Sequence, residues 1–141
     1  MRAVLDPNVI ISGLLSASGA PADVLRACDR GELEVVVSPK LLAELERALA
    51  YPKLRRHISA DEAKEVIAWI SDSATAAPDP DDPPPVHSTD SGDDYLIALG
   101  SAVRALLVSG DKHLLALAPE VPVFSPREFL ERLSQARGRV P

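Results

Sequence analysis

The N-terminal stretch MRAVLDPNVIISGLL (residues 1–15) is largely apolar but contains one aspartate, Asp6, which proline and asparagine follow at once. The apolar run at residues 3–5 predicts a short buried β-strand that ends at Asp6. An ionised carboxylate that is buried without a partner costs several kcal/mol. Asp6 is therefore expected either at a strand end that water reaches or beside a bound cation.

The composition is that of an ordinary globular protein, with 46% apolar and 26% charged residues in a chain of 141. This length suits one domain that buries about 68–70% of the surface of its unfolded chain. The formal net charge of −6 argues against non-specific coating of nucleic acid, but it allows carboxylates to gather around metal cations. The lone Cys28 is expected to be a small buried side chain. No apolar segment approaches the ~20 residues of a membrane span, so we expect a cytoplasmic protein with no membrane partner.

Apolar runs typical of strands alternate with helical segments along the chain. Strands are predicted at RAVLD (2–6), LEVVVS (33–38), RALLVSG (104–110) and VPVFS (121–125). Helices are predicted at residues 19–32, 38–50, 59–74, 93–103, 111–118 and 126–138. Ser38 is the expected N-cap of the second helix, Ser59 and Glu62 have the spacing of a capping box, and Gly31 is expected to stop the first helix. The alternation predicts an α/β fold with a mostly parallel sheet and helices on both faces.

The segment TAAPDPDDPPPVHSTDSG (75–92) interrupts this alternation, because five of the thirteen prolines lie between Pro78 and Pro85. We predict an exposed, acidic, proline-rich loop at about residues 75–90. A linker between two domains is the alternative, but the roughly fifty residues that follow are too few for an independent α/β core. The whole chain, 1–141, is therefore expected to form one domain with a frayed tail after about residue 136.

Two aspartates follow predicted strands directly. Asp6 ends the first strand, and Asp111 follows the strand RALLVSG. In parallel sheets, ligands bind beyond the carboxyl ends of the strands, where both side chains are expected to lie. Two carboxylates at one edge repel each other unless a cation lies between them. Each residue also has an ordinary interpretation, since Asp6 alone suits an Asx-type turn and Asp111 alone suits a helix N-cap.

Helical geometry separates two further acids, Asp93 and Asp94. Asp93 precedes Leu96 and Ile97 by three and four positions, so it lies on the inward apolar face of its helix, whereas Asp94 points away. A contact with the helix dipole is the ordinary interpretation of Asp93.

Periodicity does not make the same choice on the helix at residues 38–50. Glu44 and Glu46 flank its apolar face about equally, and Glu44 also suits a weak i,i+3 ion pair with Arg47. Taken together, the acids have the composition of an all-oxygen site for Mg²⁺ or Mn²⁺. One cysteine and three scattered histidines make a structural zinc site a poor fit.

Four segments resemble, in order and spacing, the four motifs of the PIN-domain nucleases, with the closest match to VapC-like toxin components. They are VLDPNVIISGL (4–14), SPKLLAELERAL (38–49), DSGDDYLIALG (90–100) and LLVSGDKHLL (106–115). The resemblance covers about residues 2–130. It implies a three-layer α/β/α fold with a parallel sheet of about five strands, and cleavage of RNA that depends on Mg²⁺ or Mn²⁺. The expected partners are RNA, a cognate antitoxin protein and a second copy of the chain in a homodimer.

The resemblance assigns site residues by position, and it settles the choice on the helix at residues 38–50 in favour of Glu44. The family's acids correspond to Asp6, Glu44, Asp93 and Asp111, and its supporting polar residues correspond to Asn8 and Ser109. Asp6 is the expected central metal ligand, with Asp93 and Asp111 completing the cluster around one or two ions. Glu44 is expected to bind through water or to orient the nucleophile.

The chain departs from the family pattern at three positions. His113 stands where many relatives have a further acid, Pro7 replaces threonine or serine, and Gly100 replaces alanine. The departure at His113 leaves a second metal position less well supplied with ligands.

A basic segment after the helix at residues 38–50 is either a solvated loop or an arm that binds phosphate. The candidate substrate contacts are Lys53, Arg55, Arg56 and Lys112. Two other functions stay open on the sequence. One is a catalytically silent PIN-like module that binds RNA or protein. The other is a Mg²⁺-dependent phosphatase, in which a second acid would stand two positions after the first, where this chain has Asn8.

Overall fold

The computed structural model of the protein describes residues 1–138. The strands are β1 (Arg2–Leu5), β2 (Glu34–Val37), β3 (Thr75–Ala76), β4 (Leu106–Val108) and β5 (Val123–Phe124). The α-helices are α1 (Pro7–Leu15), α2 (Ala20–Asp29), α3 (Pro39–Leu49), α4 (Pro52–Arg55), α5 (Ala60–Ser73), α6 (Asp94–Val103), α7 (Lys112–Leu115) and α8 (Pro126–Gly138). A single 3₁₀ turn (Ser91–Asp93) precedes α6.

The strands form one sheet in the order β3-β2-β1-β4-β5, and every neighbouring pair is parallel. The central strand β1 places Ala3 opposite Val35 of β2 and Leu5 opposite Val108 of β4. Residues 3–5 are all buried although they alternate between the two faces of the sheet, so helices cover both faces. The predicted three-layer α/β/α architecture with about five parallel strands is confirmed.

The local signals at helix ends act as the sequence predicts. The hydroxyl of Ser38 accepts a hydrogen bond from the backbone N–H of Leu41 at 3.2 Å. Ser59 and Glu62 form both bonds of a capping box, each 3.1 Å long. Gly31 follows α2 with φ of +72°, a conformation that favours glycine.

Three elements differ from the sequence-based prediction. Helix α1 was not predicted, because its buried residues 9–11 are consecutive and hide the helical period. Helix α4 lies in a segment interpreted as a loop, and β3 occupies the first two residues of the predicted proline-rich loop. An element of two to four residues is too short for its period to show in the sequence.

Most residues of the proline-rich segment are exposed, and the segment is tied to the domain at several points. The Asp79 carboxylate accepts a hydrogen bond from the backbone N–H of Lys40 at 2.9 Å, at the start of α3. Farther along, Ser88 is buried and Thr89 is hydrogen-bonded to His113. Of the predicted frayed tail, residues 137–138 belong to α8 and residues 139–141 lie outside the described residues.

Within residues 1–138, no single helix has the length and apolar character needed to cross a membrane. Helices α1 and α2 pass that test of length and composition only as a pair, which is bent by 100°.

Candidate functional site

The site lies at the carboxyl ends of β1 and β4, where the parallel register brings Asp6 and Ser109 side by side. The backbone N–H of Asp6 donates to the carbonyl of Val108 at 2.9 Å. The Ser109 hydroxyl, which is fully buried, donates to Asp6 Oδ2 at 2.8 Å and accepts from the backbone N–H of Asp111 at 3.0 Å. Ser109 therefore links the two aspartates that follow adjacent strands.

Asp6 and Asp111 are also helix caps, as their ordinary interpretations predicted. Asp6 Oδ1 accepts from the backbone N–H of Asn8 at 3.0 Å, and Asp111 Oδ1 accepts from the backbone N–H of His113 at 2.7 Å. These bonds hold each carboxylate at the start of the helix that follows it. Capping and participation in a site are therefore compatible for both residues.

Asp6 is only 4% exposed. Burial raises the pKa of this carboxyl above its ordinary value, and the negative charge of Asp111 raises it further. Hydrogen bonds from Asn8 and Ser109 act in the opposite direction and favour the ionised form. Among the described residues, no lysine or arginine offsets the charge of this carboxylate, so a bound cation fits here as its positive partner.

Asp93 turns inward at the start of α6, and Asp94 turns away, as helical geometry predicts. Asp93 Oδ2 is buried and has no hydrogen-bond partner in the described part of the chain. Burial raises the pKa of Asp93 to about 6, with further contributions from the charges of Asp111, Asp90 and Asp6. Three carboxylates from distant segments therefore act on one another at this edge of the sheet.

Asp94 has partners of its own. Its two carboxylate oxygens bind the His87 ring nitrogen Nδ1 at 2.7 Å and the backbone N–H of Ser88 at 2.8 Å. The hydrogen bond to His87 lowers the pKa of Asp94. Asp94 is thus engaged in holding the end of the proline-rich segment against α6.

Burial distinguishes the two glutamates of α3 that periodicity left equal. Glu44 is half-buried, whereas Glu46 is exposed. Glu44 forms the i,i+3 ion pair with Arg47, so its ordinary interpretation is present in the structure. The pKa of Tyr95 is raised mainly by burial and then by the negative charges of Asp6, Glu44 and Asp93. Glu44 therefore acts on the same tyrosine as two of the other acids.

The chemistry of the acids fits a hard divalent cation. Within residues 1–138, no three His, Cys, Asp or Glu side chains stand at the separations of a complete metal site. Salt bridges from lysine or arginine to Asp6, Asp93 or Asp111 are also absent from this part of the chain. The unpaired Asp93 Oδ2 and the mutual repulsion of the carboxylates are what a Mg²⁺ or Mn²⁺ ion would relieve.

Asn8 and Lys112, both predicted to support the site or contact substrate, lie next to Asp111. Asn8 and Asp111 line the same surface depression, together with Ser12 and Gly110. Lys112 is exposed and directly follows Asp111 at the start of α7. Both residues are therefore placed where a substrate could reach them and the acids together.

The predicted basic arm lies farther from the acids. Lys53 and Arg55 belong to α4, and Arg56 follows it; all three side chains are exposed. Arg55 lines a groove between α3 and α5 with Glu46, which flanks α3 on the side opposite Glu44. The structure therefore does not bring Arg55 to the acidic cluster.

Sequence reasoning missed two residues at the cluster, Lys40 and Tyr95. The Lys40 ammonium lies 5.2 Å from the centroid of the Tyr95 ring. Lys40 had a usable signal, because it precedes Glu44 by four positions on one helix and such residues share a face. Tyr95 had none, since residues two positions apart, as Asp93 and Tyr95 are, do not share a face. Asp79, which also acts electrostatically on Tyr95, lies in the proline-rich segment, where no periodicity points to it.

Comparison with known proteins shows the family of the chain and a shared fold. The family model described as PIN domain matches residues 2–113, which include all four predicted acids. An uncharacterized protein of Methanocaldococcus jannaschii is 26% identical over 145 residues, covering 96% of this chain and 93% of the relative. A solved structure of a PilT N-terminus domain protein from the archaeon Sulfolobus solfataricus P2 superposes with a TM-score of 0.54 at 19% identity. The match covers 94% of this chain and 93% of that protein, and it shows a shared fold.

Proposed function

The chain belongs to the PIN-domain family, and on that premise we propose that it is an endoribonuclease that depends on Mg²⁺ or Mn²⁺. PIN domains are typically nucleases, and the candidate site has the oxygen ligands that such chemistry requires. The proposed reaction is hydrolysis of phosphodiester bonds in RNA. This function rests on the family and on the four acids, Asp6, Glu44, Asp93 and Asp111.

The arrangement of Asp93 toward Asp6 and Asp111 is the single observation that carries the proposal. Asp93 Oδ2 is buried without a partner, and the charges of Asp6 and Asp111 raise the Asp93 pKa further. Asp94, by contrast, has both oxygens satisfied by hydrogen-bond partners. Asp79 Oδ1 is also buried without a partner among the described residues, but the shift of the Asp93 pKa by Asp6 and Asp111 sets Asp93 apart. An unpaired oxygen among other carboxylates instead favours an ion as the missing partner.

Each residue then has a definite task in the proposed reaction. Asp6, Asp93 and Asp111 would hold the ion, and the Ser109 hydroxyl keeps Asp6 Oδ2 in place. When bound, the ion would neutralise charge on the phosphate and make a water molecule more acidic. Glu44, half-buried on α3, would orient the attacking water.

Contacts to the RNA are placed in two regions. Asn8 and Lys112 lie beside Asp111 and are proposed to contact the cleaved strand. Lys53, Arg55 and Arg56 are exposed and lie beyond Glu46, so we propose that they contact the RNA farther along its backbone.

The biological setting forms part of the proposal and rests on the resemblance of the four motifs to VapC-like proteins. In this setting the enzyme is the cytoplasmic toxin of a toxin–antitoxin pair, and a cognate antitoxin binds it. A homodimer is the proposed assembly. Co-expression with the product of a small neighbouring open reading frame tests the pairing, since a true antitoxin relieves growth arrest and co-purifies with this chain.

A catalytically silent PIN-like module is the second candidate, and one observation favours it. Glu44 is paired with Arg47, and in the described residues the acids do not form a complete metal cluster. Such a module would bind RNA or protein through the same edge of the sheet without cutting the strand. The same assay decides between the two candidates.

The test is cleavage of fluorescently labelled RNAs, structured and unstructured, in Mg²⁺, Mn²⁺ or EDTA. Wild type is expected to cut in either metal and not in EDTA, and Asp93→Asn is expected to reduce the rate about 100-fold or more. The matched control is Asp82→Asn, which removes an exposed acid of the proline-rich segment. Metal-independent binding without cleavage would favour the silent module, and release of phosphate from small monoesters would favour a phosphatase.

A further inference from the structure

Lys40 and Tyr95 meet beside the acidic cluster although they lie on different helices. Lys40 is the second residue of α3, and Tyr95 is the second residue of α6. The ammonium of Lys40 lies over the aromatic ring, 5.2 Å from its centroid, which is within the range of a cation–π contact. This contact joins the helix that bears Glu44 to the helix that begins beside Asp93.

We propose that Lys40 and Tyr95 form an RNA-backbone contact at the mouth of the acidic site. The Lys40 ammonium binds a phosphate adjacent to the cleaved bond, and the Tyr95 ring holds that ammonium in place while its hydroxyl donates to the same strand. The inference rests on the proposed nuclease function and adds two substrate-binding residues to it.

The side chain of Lys40 is free to bind an anion. It is exposed, and in the described part of the chain it forms no salt bridge, although carboxylates surround the neighbouring tyrosine. Its backbone is held in position, because Asp79 Oδ2 accepts from the Lys40 N–H at 2.9 Å. A fixed backbone and an unpaired ammonium are typical of a lysine that serves a phosphate as a point charge.

Tyr95 is suited to donate a hydrogen bond rather than to stack on a base. The Lys40 ammonium already occupies one face of the ring, and the residue is half-buried. Its phenol hydroxyl can donate a hydrogen bond to a phosphate oxygen. The helix of Tyr95 begins beside Asp93, one of the acids that would hold a scissile phosphate.

A positive charge beside the acids would reduce the repulsion between this site and RNA, and Lys40 supplies one. The chain has a net charge of −6, and its candidate site is built from carboxylates, so both repel a polyanion. The predicted basic arm does not offset this repulsion at the site, since Arg55 lies with Glu46 on the other side of α3. Lys40 supplies positive charge next to the acids themselves.

The experiment measures KM, kcat and RNA affinity for Lys40→Gln and Tyr95→Phe against salt concentration. Arg104→Gln is the matched control for charge, because Arg104 is exposed and precedes β4, at the edge of the sheet opposite the acids. Tyr51→Phe removes an exposed hydroxyl. Affinity is measured by fluorescence anisotropy at 4 °C in Mg²⁺, before cleavage becomes measurable. Thermal melts confirm that all four variants fold.

Lys40→Gln is expected to raise KM about tenfold with kcat within twofold of wild type. It should also reduce the slope of log affinity against log salt by about 0.7, the value for one phosphate contact on a single strand. Tyr95→Phe is expected to raise KM about threefold and to leave the salt slope unchanged, because it removes no charge. Both controls should behave as wild type.

Equal KM and equal salt slope for Lys40→Gln and Arg104→Gln would overturn the inference while leaving the nuclease proposal intact. The nuclease proposal can also fail while the Lys40 contact stands. If wild type binds RNA without cutting it, and Lys40→Gln still weakens binding, the contact stands and the nuclease proposal fails. Absence of any RNA binding by wild type rejects both.

Discussion

Asp93→Asn is expected to stabilise the metal-free protein at neutral pH, because it removes a carboxylate that the fold holds at a cost. Burial and the charges of Asp111, Asp90 and Asp6 raise the pKa of Asp93 from 3.8 to about 6. The native state then binds more protons than the unfolded state between about pH 4 and pH 6, so stability falls as the pH rises through this range. Above about pH 6 the folded protein bears the full free-energy cost of the ionised Asp93 carboxylate.

The size of the effect follows from the pKa. A rise from 3.8 to about 6 corresponds to at most about 3 kcal/mol. Solvent screening of a partly exposed carboxyl reduces this to about 1–1.5 kcal/mol. For a domain of this length, that change corresponds to a rise in Tm of about 3–6 °C.

The assay is thermal unfolding of wild type and Asp93→Asn in EDTA from pH 4 to pH 8, followed by melts in Mg²⁺. Near pH 4 the two proteins should melt together, and above pH 6.5 the variant should melt higher. Added Mg²⁺ should raise the Tm of wild type and have little effect on the variant, because a ligand stabilises only the state that binds it. Asp82→Asn should show neither change.

Two results would refute this reasoning about Asp93. One is a variant that is less stable than wild type at pH 8 without metal, which would mean that the carboxylate makes a favourable contact. The other is an equal rise in Tm with Mg²⁺ for both proteins, which would place the ion elsewhere.

Three further substitutions test the site and its support. Glu44→Gln should lower the rate of RNA cleavage tenfold or more, whereas Glu46→Gln on the same helix should stay within about twofold of wild type; equal rates would remove Glu44 from the site. Ser109→Ala leaves Asp6 Oδ2 and the Asp111 N–H without their shared partner, so urea unfolding should show a loss of about 1–3 kcal/mol and cleavage should fall about 10–100-fold. Leu45 is fully buried, so Leu45→Ala should cost about 2–5 kcal/mol in the same urea titration; a smaller loss would indicate a loosely packed α3.

Signals that are local in the sequence predict most of the fold. Consecutive valines predict the buried strand β2, and the Ser59–Glu62 spacing predicts the start of α5. Helix α1 escapes prediction because residues 9–11 are all apolar and buried, so no polar face marks the helical period. Strand β3 is not predicted because two residues are too few to show an alternating pattern. Its pairing with β2 also depends on segments that lie far apart in the chain.

The candidate site, like the fold, can be predicted from the sequence only in part. The inward position of Asp93 follows from helical geometry alone, and the edge position of Asp6 and Asp111 follows from the parallel sheet. Periodicity leaves Glu44 and Glu46 equal, and the family motif alone assigns Glu44 in the sequence; the difference in their burial comes from tertiary packing. Lys40 and Tyr95 lie on separate helices. No local sequence pattern predicts the contact between them.

The central claim is that Asp6, Asp93 and Asp111 together bind a divalent cation, and Mn²⁺ titration followed by electron paramagnetic resonance tests it most directly. The signal of free Mn²⁺ counts the ions bound to the protein without reference to any substrate. Wild type and Glu46→Gln should bind one or two ions with the same affinity, and Asp111→Asn should bind at least tenfold more weakly. Equal binding by all three proteins, or no binding by wild type, would contradict the account.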